Sequence, residues 1–469
     1  MTRAAAQRLG MREGHEATRR KLVVLVACTA AFVVFLDTTI VNVAFPAIER
    51  SFSGYNRADV ALTLTAYATI LGALLIPGGR LADYIGRRTV FIGALGAFAV
   101  FSAICGLAPS LPVLIGGRVL QACAAALMAP ASLAVMFSEY PTTQRTYVVG
   151  LWSAAAGAAT ALGPAAGGVI VNTLGWRYVF LVNLPIGLAA TLGGYVAIKA
   201  AEKRIAAKPD TATVAFATGA AIMLTTGLFG VADTGSLGSW DVALFAGSAA
   251  LASACVLSGR RSSNPLVGSE LLHARALSAG IATFFTSSAG FALLFVNVLY
   301  LSSVWHYGAL AQGLAVTPGP IVTAAIVVPA SKMADKFGAT VVALPGVVLL
   351  SAGAMWFHSE VGTSSHWVAH WLPGAILTGC GIGLSFPTIA SAAINFADAS
   401  RINTAVAVNG AIRQIGAVAG ISAVVCLIGR HAGVQAAGVL ARGWVLVAVM
   451  SLIGGIALLP LARSRSAAS

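Results

Sequence analysis

Gly79-Arg80-Leu81-Ala82-Asp83-Tyr84-Ile85-Gly86-Arg87-Arg88 and, far along the chain, Ser331-Lys332-Met333-Ala334-Asp335-Lys336-Phe337-Gly338 are two versions of one sentence. Both carry Ala-Asp-x-x-Gly after a basic residue, and each follows a long apolar run. A single Asp-x-x-Gly is an ordinary tight turn. Two copies at equivalent places in two sets of six apolar runs read as a duplication. Duplicated six-helix units with a site between them at mid-depth are a recurrent membrane-protein plan.

The composition supports that reading. Hydrophobic residues make up 58% of the 469 and charged residues 9%, with a mean hydropathy of +0.87. Such a chain is an all-α polytopic membrane protein, since runs of about 20 apolar residues span the bilayer as helices. The alternating strands of an outer-membrane barrel are absent from the sequence. Fourteen runs are read, near 22–45, 60–80, 88–108, 112–138, 146–172, 178–199, 211–231, 240–258, 276–302, 311–331, 340–357, 367–393, 403–428 and 440–462. The expected organisation is an N-terminal tail (1–21), a six-helix bundle (22–199), a linker with an inserted helix pair (200–275), a second six-helix bundle (276–462) and a C-terminal tail (463–469).

The net charge of +14 does not indicate a nucleic-acid partner, because Lys and Arg gather at one side of the expected bundle. Arg3 to Lys21, Arg80, Arg87, Arg88, Arg145, Lys199 to Lys208, Arg260, Arg261, Arg275, Lys332, Lys336, Arg401, Arg463 and Arg465 fall on one side. Arg50, Arg57, Arg177, Arg430 and Arg442 fall on the other. The positive-inside rule then places both termini in the cytoplasm. The six cysteines, all within apolar runs, read as packing thiols. Leu22–Val43 is too long for a signal-peptide core and is kept as helix 1.

Within Phe35-Leu36-Asp37-Thr38-Thr39-Ile40-Val41-Asn42, an acid lies inside the first apolar run. A charge there costs roughly 2.5–3.5 kcal/mol on insertion scales unless it is paired or protonated. At 1.5 Å per residue Asp37 lies about 22 Å along helix 1, and Arg118 about 10 Å into helix 4 from the other side. In a core of about 30 Å those depths match. A guanidinium facing a carboxylate favours its charged form, and withdrawal of the guanidinium in a dry site favours protonation. The pair therefore reads either as a proton-loading device or as a static ion pair. Gln121, on the same helix face as Arg118, is placed to hold the guanidinium or to touch a ligand. Thr38 and Asn42 share another face of helix 1. With Tyr67, Asn297, Asn409, Arg413 and Gln414 they are the polar groups expected to line a mid-depth cavity. Arg413 has no acid at matching depth, leaving ligand contact or backbone carbonyls as its partners.

Several further motifs carry a resemblance. Leu36 to Pro46, Gly79 to Arg88, Arg118-Val119-Leu120-Gln121, Gly157 with Gly163-Pro164-Ala165-Ala166-Gly167-Gly168, Trp176 to Gly187, and Asn409 with Arg413-Gln414-Ile415-Gly416 occur in a fixed order over nearly the whole chain. Together they resemble the major facilitator superfamily, in its fourteen-helix drug:proton antiporter branch (the EmrB/QacA type). Actinobacterial antibiotic exporters of the methylenomycin-resistance type are the nearest pattern. The resemblance implies proton-coupled efflux of small amphipathic compounds by alternating access, with Asp37 and Arg118 at the proton. It implies a cytoplasmic gate at Asp83, Gly86, Arg87, Arg88 and Asp335, with Asp83 latching onto the start of helix 13 near Arg401 and Asn403. It implies a hinge at Gly157, Gly163, Pro164, Gly167 and Gly168. Ala122-Cys123-Ala124 stands where the family has Gly-x-Gly, and the second copy of the loop motif lacks a Gly and the double Arg, so the pocket is expected to differ.

His366 and His370 are spaced like helical zinc ligands, but no Glu or Cys joins them, so no metal site is expected. No nucleophile motif or ATP-binding loop appears, so no enzyme and no cofactor are expected, with a proton gradient as the energy source. The competing readings are a transporter of a polar metabolite and a non-transporting membrane sensor or assembly protein. Asp37 is the acid counted within the spans, against Arg118 and Arg413, so neutral or weakly acidic substrates are favoured. A monomer in the bacterial cytoplasmic membrane is expected.

Overall fold

The computed structural model describes residues 3–140, 145–199, 211–234, 236–261, 273–394, 402–428 and 436–466, and among them the regular structure is helical. The first six helices are α1 (Arg3–Ser51), α2 (Arg57–Ile85), α3 (Arg87–Gly106), α4 (Leu111–Glu139), α5 (Arg145–Thr173) and α6, which is interrupted into Tyr178–Leu181 and Asn183–Ala197. Next come α7 (Thr211–Thr234) and α8 (Ser239–Arg261). The last six are α9 (Ala274–Ser303), α10 (Ala309–Val316 and Pro318–Phe337), α11 (Ala339–Glu360), α12 (a π-turn over Trp367–Trp371, then Leu372–Ile394), α13 (Ile402–Ile428) and α14 (Ala436–Ser466). Among the described residues twelve are long and apolar enough to cross a membrane, while α7 and α8 contribute the shorter apolar stretches Ala212–Leu228 and Ser239–Cys255. The protein is thus a multi-pass, all-helical membrane protein.

The duplicated motif folds alike twice. In each copy the helix runs through the Asp and stops at the Gly, whose positive φ (+122° at Gly86, +98° at Gly338) is a conformation L side chains rarely adopt. The Gly86 amide bonds to Ala82 O at 3.0 Å and the Gly338 amide to Ala334 O at 2.8 Å, after which α3 and α11 begin at once. The loop expected between the runs 60–80 and 88–108 is therefore a one-glycine turn between two helices. The expected N-terminal tail is also helical, continuous with α1 from Arg3. Arg19 fastens it by a bidentate bond to Glu139 (2.6 and 2.8 Å) and a bond to Ala197 O.

Packing follows the duplication. Within the first half α1 packs on α5 and α6, α2 on α4, and α3 on α4 and α6; the second half repeats this with α9 on α13 and α14, α10 on α12, and α11 on α12 and α14. The halves meet along two seams related in the same way, α2 against α13 and α5 against α10. At the second seam backbone meets backbone: a Cβ on Gly168 would lie 2.6 Å from Ala309 O, and one on Gly313 would collide with Pro164 O. Helix α7 packs against both α2 and α13, so the inserted pair lies along the first seam.

The apolar core is divided unevenly. At the end holding Phe45 and Ala58, one continuous cluster draws on both halves, with Phe45 and Phe295 in edge-to-face contact at 4.9 Å. At the other end, which holds Val23 and the Gly86 turn, the clusters are separate: Val23 to Ile198 from the first half alone, and Ala279, Ala282, Ala343, Ile389 and Leu458 from the second. The two halves are joined at one end and packed independently at the other.

Candidate functional site

A cluster of buried polar groups forms a box inside the first half, built by five of its six helices. Asp37 of α1 and Arg118 of α4 have side-chain exposures of 0% and 1%. Arg118 Nη1 donates to Asp37 Oδ2 at 2.5 Å and to Gln121 Oε1 at 2.7 Å, while Gln121 Nε2 donates to Asp37 Oδ1 at 3.0 Å. Asn183, at the break in α6, donates to Asp37 Oδ1 at 3.4 Å and to Ser102 Oγ of α3 at 3.1 Å. Arg118 Nε donates to Thr63 O of α2 at 2.9 Å, and its guanidinium lies 3.9 Å from the centre of the Tyr67 ring. The carboxylate thus accepts from three side chains, and the guanidinium is held by a carboxylate, an amide, a backbone carbonyl and a π-face. Breaking a buried pair by removing one partner typically costs 3–5 kcal/mol. Neutralising the acid in place removes the attraction without emptying the site, and that is the chemistry such a box permits.

The structure brings Asp37 and Arg118 together as their depths suggested, and it redistributes other expected site residues. Gln121 holds the Arg118 guanidinium, one of the two roles expected of it, and Tyr67 is fully buried in the box rather than in a cavity. Asn297 is also not cavity-facing: it accepts from Trp444 Nε1 at 2.8 Å within the aromatic core of the second half. Thr38 bonds Val34 O, and Asn42 Nδ2 bonds Thr38 O at 2.7 Å, leaving the buried Asn42 Oδ1 without a protein partner. Gln414 packs its Cβ where Gly72 makes room at the α2–α13 seam, and its buried Oε1 likewise has no partner. Asn409 accepts from Thr283 Oγ1 at 3.0 Å and lines a cavity of about 270 Å³ with Phe284 and Ile412. Arg413 lies 5.4 Å from the centre of the Phe35 ring of α1.

The expected gate residues lie in α2, α3 and α10. Asp83 is about half exposed and bonds Arg87 Nε at 2.7 Å, an i,i+4 pair within one half. Arg88 does not face the second half; it binds the Ile198 and Tyr195 carbonyls at 2.6 and 2.9 Å and so ties α3 to the end of α6. Asp335 is exposed. Arg401 and the Asn403 side chain, the expected latch partners of Asp83, lie outside the described residues. The expected hinge glycines divide in two. A Cβ on Gly163 would collide with the Thr39 hydroxyl, and one on Gly167 would lie 2.8 Å from Ile40, so α5 needs both to approach α1; Pro164 lies between them and Gly168 faces α10. Gly157 has open space instead.

Asn183 is the site residue that sequence reasoning passed over. It was visible as a polar residue inside Val182-Asn183-Leu184-Pro185, but nothing in a linear reading tied it to an acid 146 positions earlier. Ser102 was equally unmarked, since its role as acceptor for Asn183 depends on the approach of α3 to α6.

Known proteins resemble this chain over most of its length. It is 32% identical over 351 residues to the tetracenomycin C resistance and export protein of Streptomyces glaucescens, a match covering 73% of this chain and 63% of that one. It is 29% identical to the methylenomycin A resistance protein of Streptomyces coelicolor over 83% of this chain and 81% of that one. The multidrug resistance protein Stp of Mycobacterium tuberculosis is 29% identical over 86% and 75%. A bacterial homologue of the human lysosomal transporter Spinster, solved in an inward-facing and occupied conformation, shares the fold with a TM-score of 0.68 at 17% identity, over 95% of this chain and 97% of that one. The model of the Major Facilitator Superfamily matches residues 27–421. The chain belongs to that superfamily of membrane transporters, with relatives named for antibiotic resistance and export.

Proposed function

We propose that the protein is a proton-coupled antiporter that exports small amphipathic compounds, antibiotics or related drugs, across the bacterial cytoplasmic membrane by alternating access. We assign it to the fourteen-helix drug:proton antiporter branch, with α7 and α8 as an inserted pair (200–275) between bundles at 22–199 and 276–462. Both termini are cytoplasmic in this reading, the protein works as a monomer, and the substrates are neutral or weakly acidic.

The observation that carries the reading is the box around Asp37. An acid held by Arg118, Gln121 and Asn183 at mid-depth is costly to a membrane protein unless it is used. Protonation of Asp37 cancels the charge that holds Arg118, and the guanidinium keeps Gln121 Oε1 and Thr63 O as partners. The helices that supply these groups then repack, and the seams α2–α13 and α5–α10 transmit the change to the second half. Under the topology proposed here, the separately packed end faces the cytoplasm, so the arrangement is inward-open. Asp83 itself pairs with Arg87 within one half.

The test is a resistance profile over a chemically diverse antibiotic panel in a pump-deleted bacterium, with and without an uncoupler. Uncoupler-sensitive resistance to amphipathic compounds is the expected result. Sugar or amino-acid phenotypes without drug resistance would favour a metabolite transporter.

A further inference from the structure

Among the described residues, Arg413 is a charge within the second half's helices that the proton box does not use. It makes no hydrogen bond or ion pair among the described residues and remains partly exposed. Its guanidinium projects from the second half onto the Phe35 ring of the first, 5.4 Å from the ring centre. Phe35 in turn stands edge-to-face to Trp152 of α5 at 5.8 Å, and Trp152 is fixed by an Nε1 bond to Ser132 Oγ at 3.0 Å. One helical turn before Arg413 on the same face, Asn409 lines the 270 Å³ cavity, whose other walls include Phe284 and Ile412. A planar fork with five N–H donors, an aromatic wall facing it and an apolar cavity beside it therefore sit together next to the α2–α13 seam.

We propose that Arg413, Phe35 and Trp152 form a binding element for a planar organic anion, an aromatic carboxylate or phenolate. Its charge is taken bidentately by Arg413, and its ring lies against Phe35 and Trp152. An unpartnered guanidinium at mid-depth gains most from a carboxylate, and bidentate geometry is where Arg exceeds Lys. Because the cation belongs to one half and the aromatic wall to the other, the ligand bridges the parts that must close around it. The proposal rests on the export reading, since it names the substrate class of that transport.

The experiment is equilibrium binding to the purified full chain in detergent, without any gradient, using benzoate, 2-naphthoate and 9-anthracenecarboxylate against the matching alcohols. At least one carboxylate should bind about tenfold tighter than its alcohol, the size expected of a charge-assisted hydrogen bond. In Arg413→Gln that preference should vanish while alcohol binding persists. In Arg413→Lys it should fall without vanishing, a variant that keeps the charge if the Gln variant does not fold. Trp152→Leu should weaken carboxylate and alcohol alike. A wild-type protein with no carboxylate preference across the three pairs overturns the proposal, as does a preference that survives Arg413→Gln. Loss of uncoupler-sensitive drug resistance, read separately in cells, would instead overturn the export reading and leave the binding result standing.

Discussion

At the residue scale, Asp37 is the group on which coupling depends. Asp37→Asn keeps the size and much of the hydrogen bonding but fixes the site in a neutral state. Uphill export in proteoliposomes should be abolished while membrane insertion and thermal unfolding stay near wild type; a mutant that still concentrates substrate would show that another group carries the proton. Asn183 separates coupling from mere stability. Asn183→Leu removes one of three donors to the acid and also leaves Ser102 without that donor, a change of about 1–3 kcal/mol for buried polar groups. Transport driven by the proton gradient should fall more than counterflow exchange of substrate measured without a gradient. Equal losses in both assays would reduce Asn183 to a packing residue. The Asp37–Arg118 pairing was legible because depth along a helix is arithmetic, and two opposite charges in an apolar segment have few other options. Asn183 was not, since an amide costs far less to bury than a charge and advertises nothing in sequence.

At the element scale, glycines decide how closely helices approach, and their roles differ although the sequence motif groups them. Gly313→Leu should push α10 off α5, because even a Cβ there meets Pro164 O and Gly168, and overpacking of this kind costs about 1–3 kcal/mol. A lower unfolding temperature and lost transport are expected, whereas Gly157→Ala, with open space at its Cβ, should leave the unfolding temperature within error. If both behave alike, the seam is not a tight contact. The second half repeats the device: a Cβ on Gly416 would lie 2.5 Å from Phe284 O and one on Gly420 would collide with Ser288 O, as Gly163 and Gly167 do against α1. The loop motif announced the duplication, yet the packing role of this second glycine pair was not legible, although Gly416 belongs to a motif, because small residues recur throughout such chains and only the approach of α13 to α9 distinguishes these two. The extent of α2 was also misjudged. Arg80, Asp83 and Arg87 look like loop residues by charge, but a single glycine suffices to turn the chain, so α2 retains Arg80 and Asp83 and α3 starts at Arg87.

At the scale of the whole molecule, the asymmetry of the core is the feature that alternating access must reverse. Phe45 and Phe295 touch at the joined end, and the halves pack separately at the other. For a substrate to leave by the joined end, that contact has to part. Phe45→Cys with Phe295→Cys, in a chain whose six cysteines are replaced, should be bridged efficiently by a short thiol cross-linker. The bridged protein should bind ligand from the cytoplasmic side but not transport, and reduction of a cleavable linker should restore transport. Labelling of single cysteines placed in residues 1–15 and 464–469 should succeed only from the cytoplasm. These two results are coupled. If the tails label from outside, the topology inverts and the joined end faces the cytoplasm, so the same cross-link would trap an outward-open state and ligand access would be blocked from within. Transport at the wild-type rate by the fully cross-linked protein would remove alternating access about these seams as its mechanism, whichever way the chain is oriented.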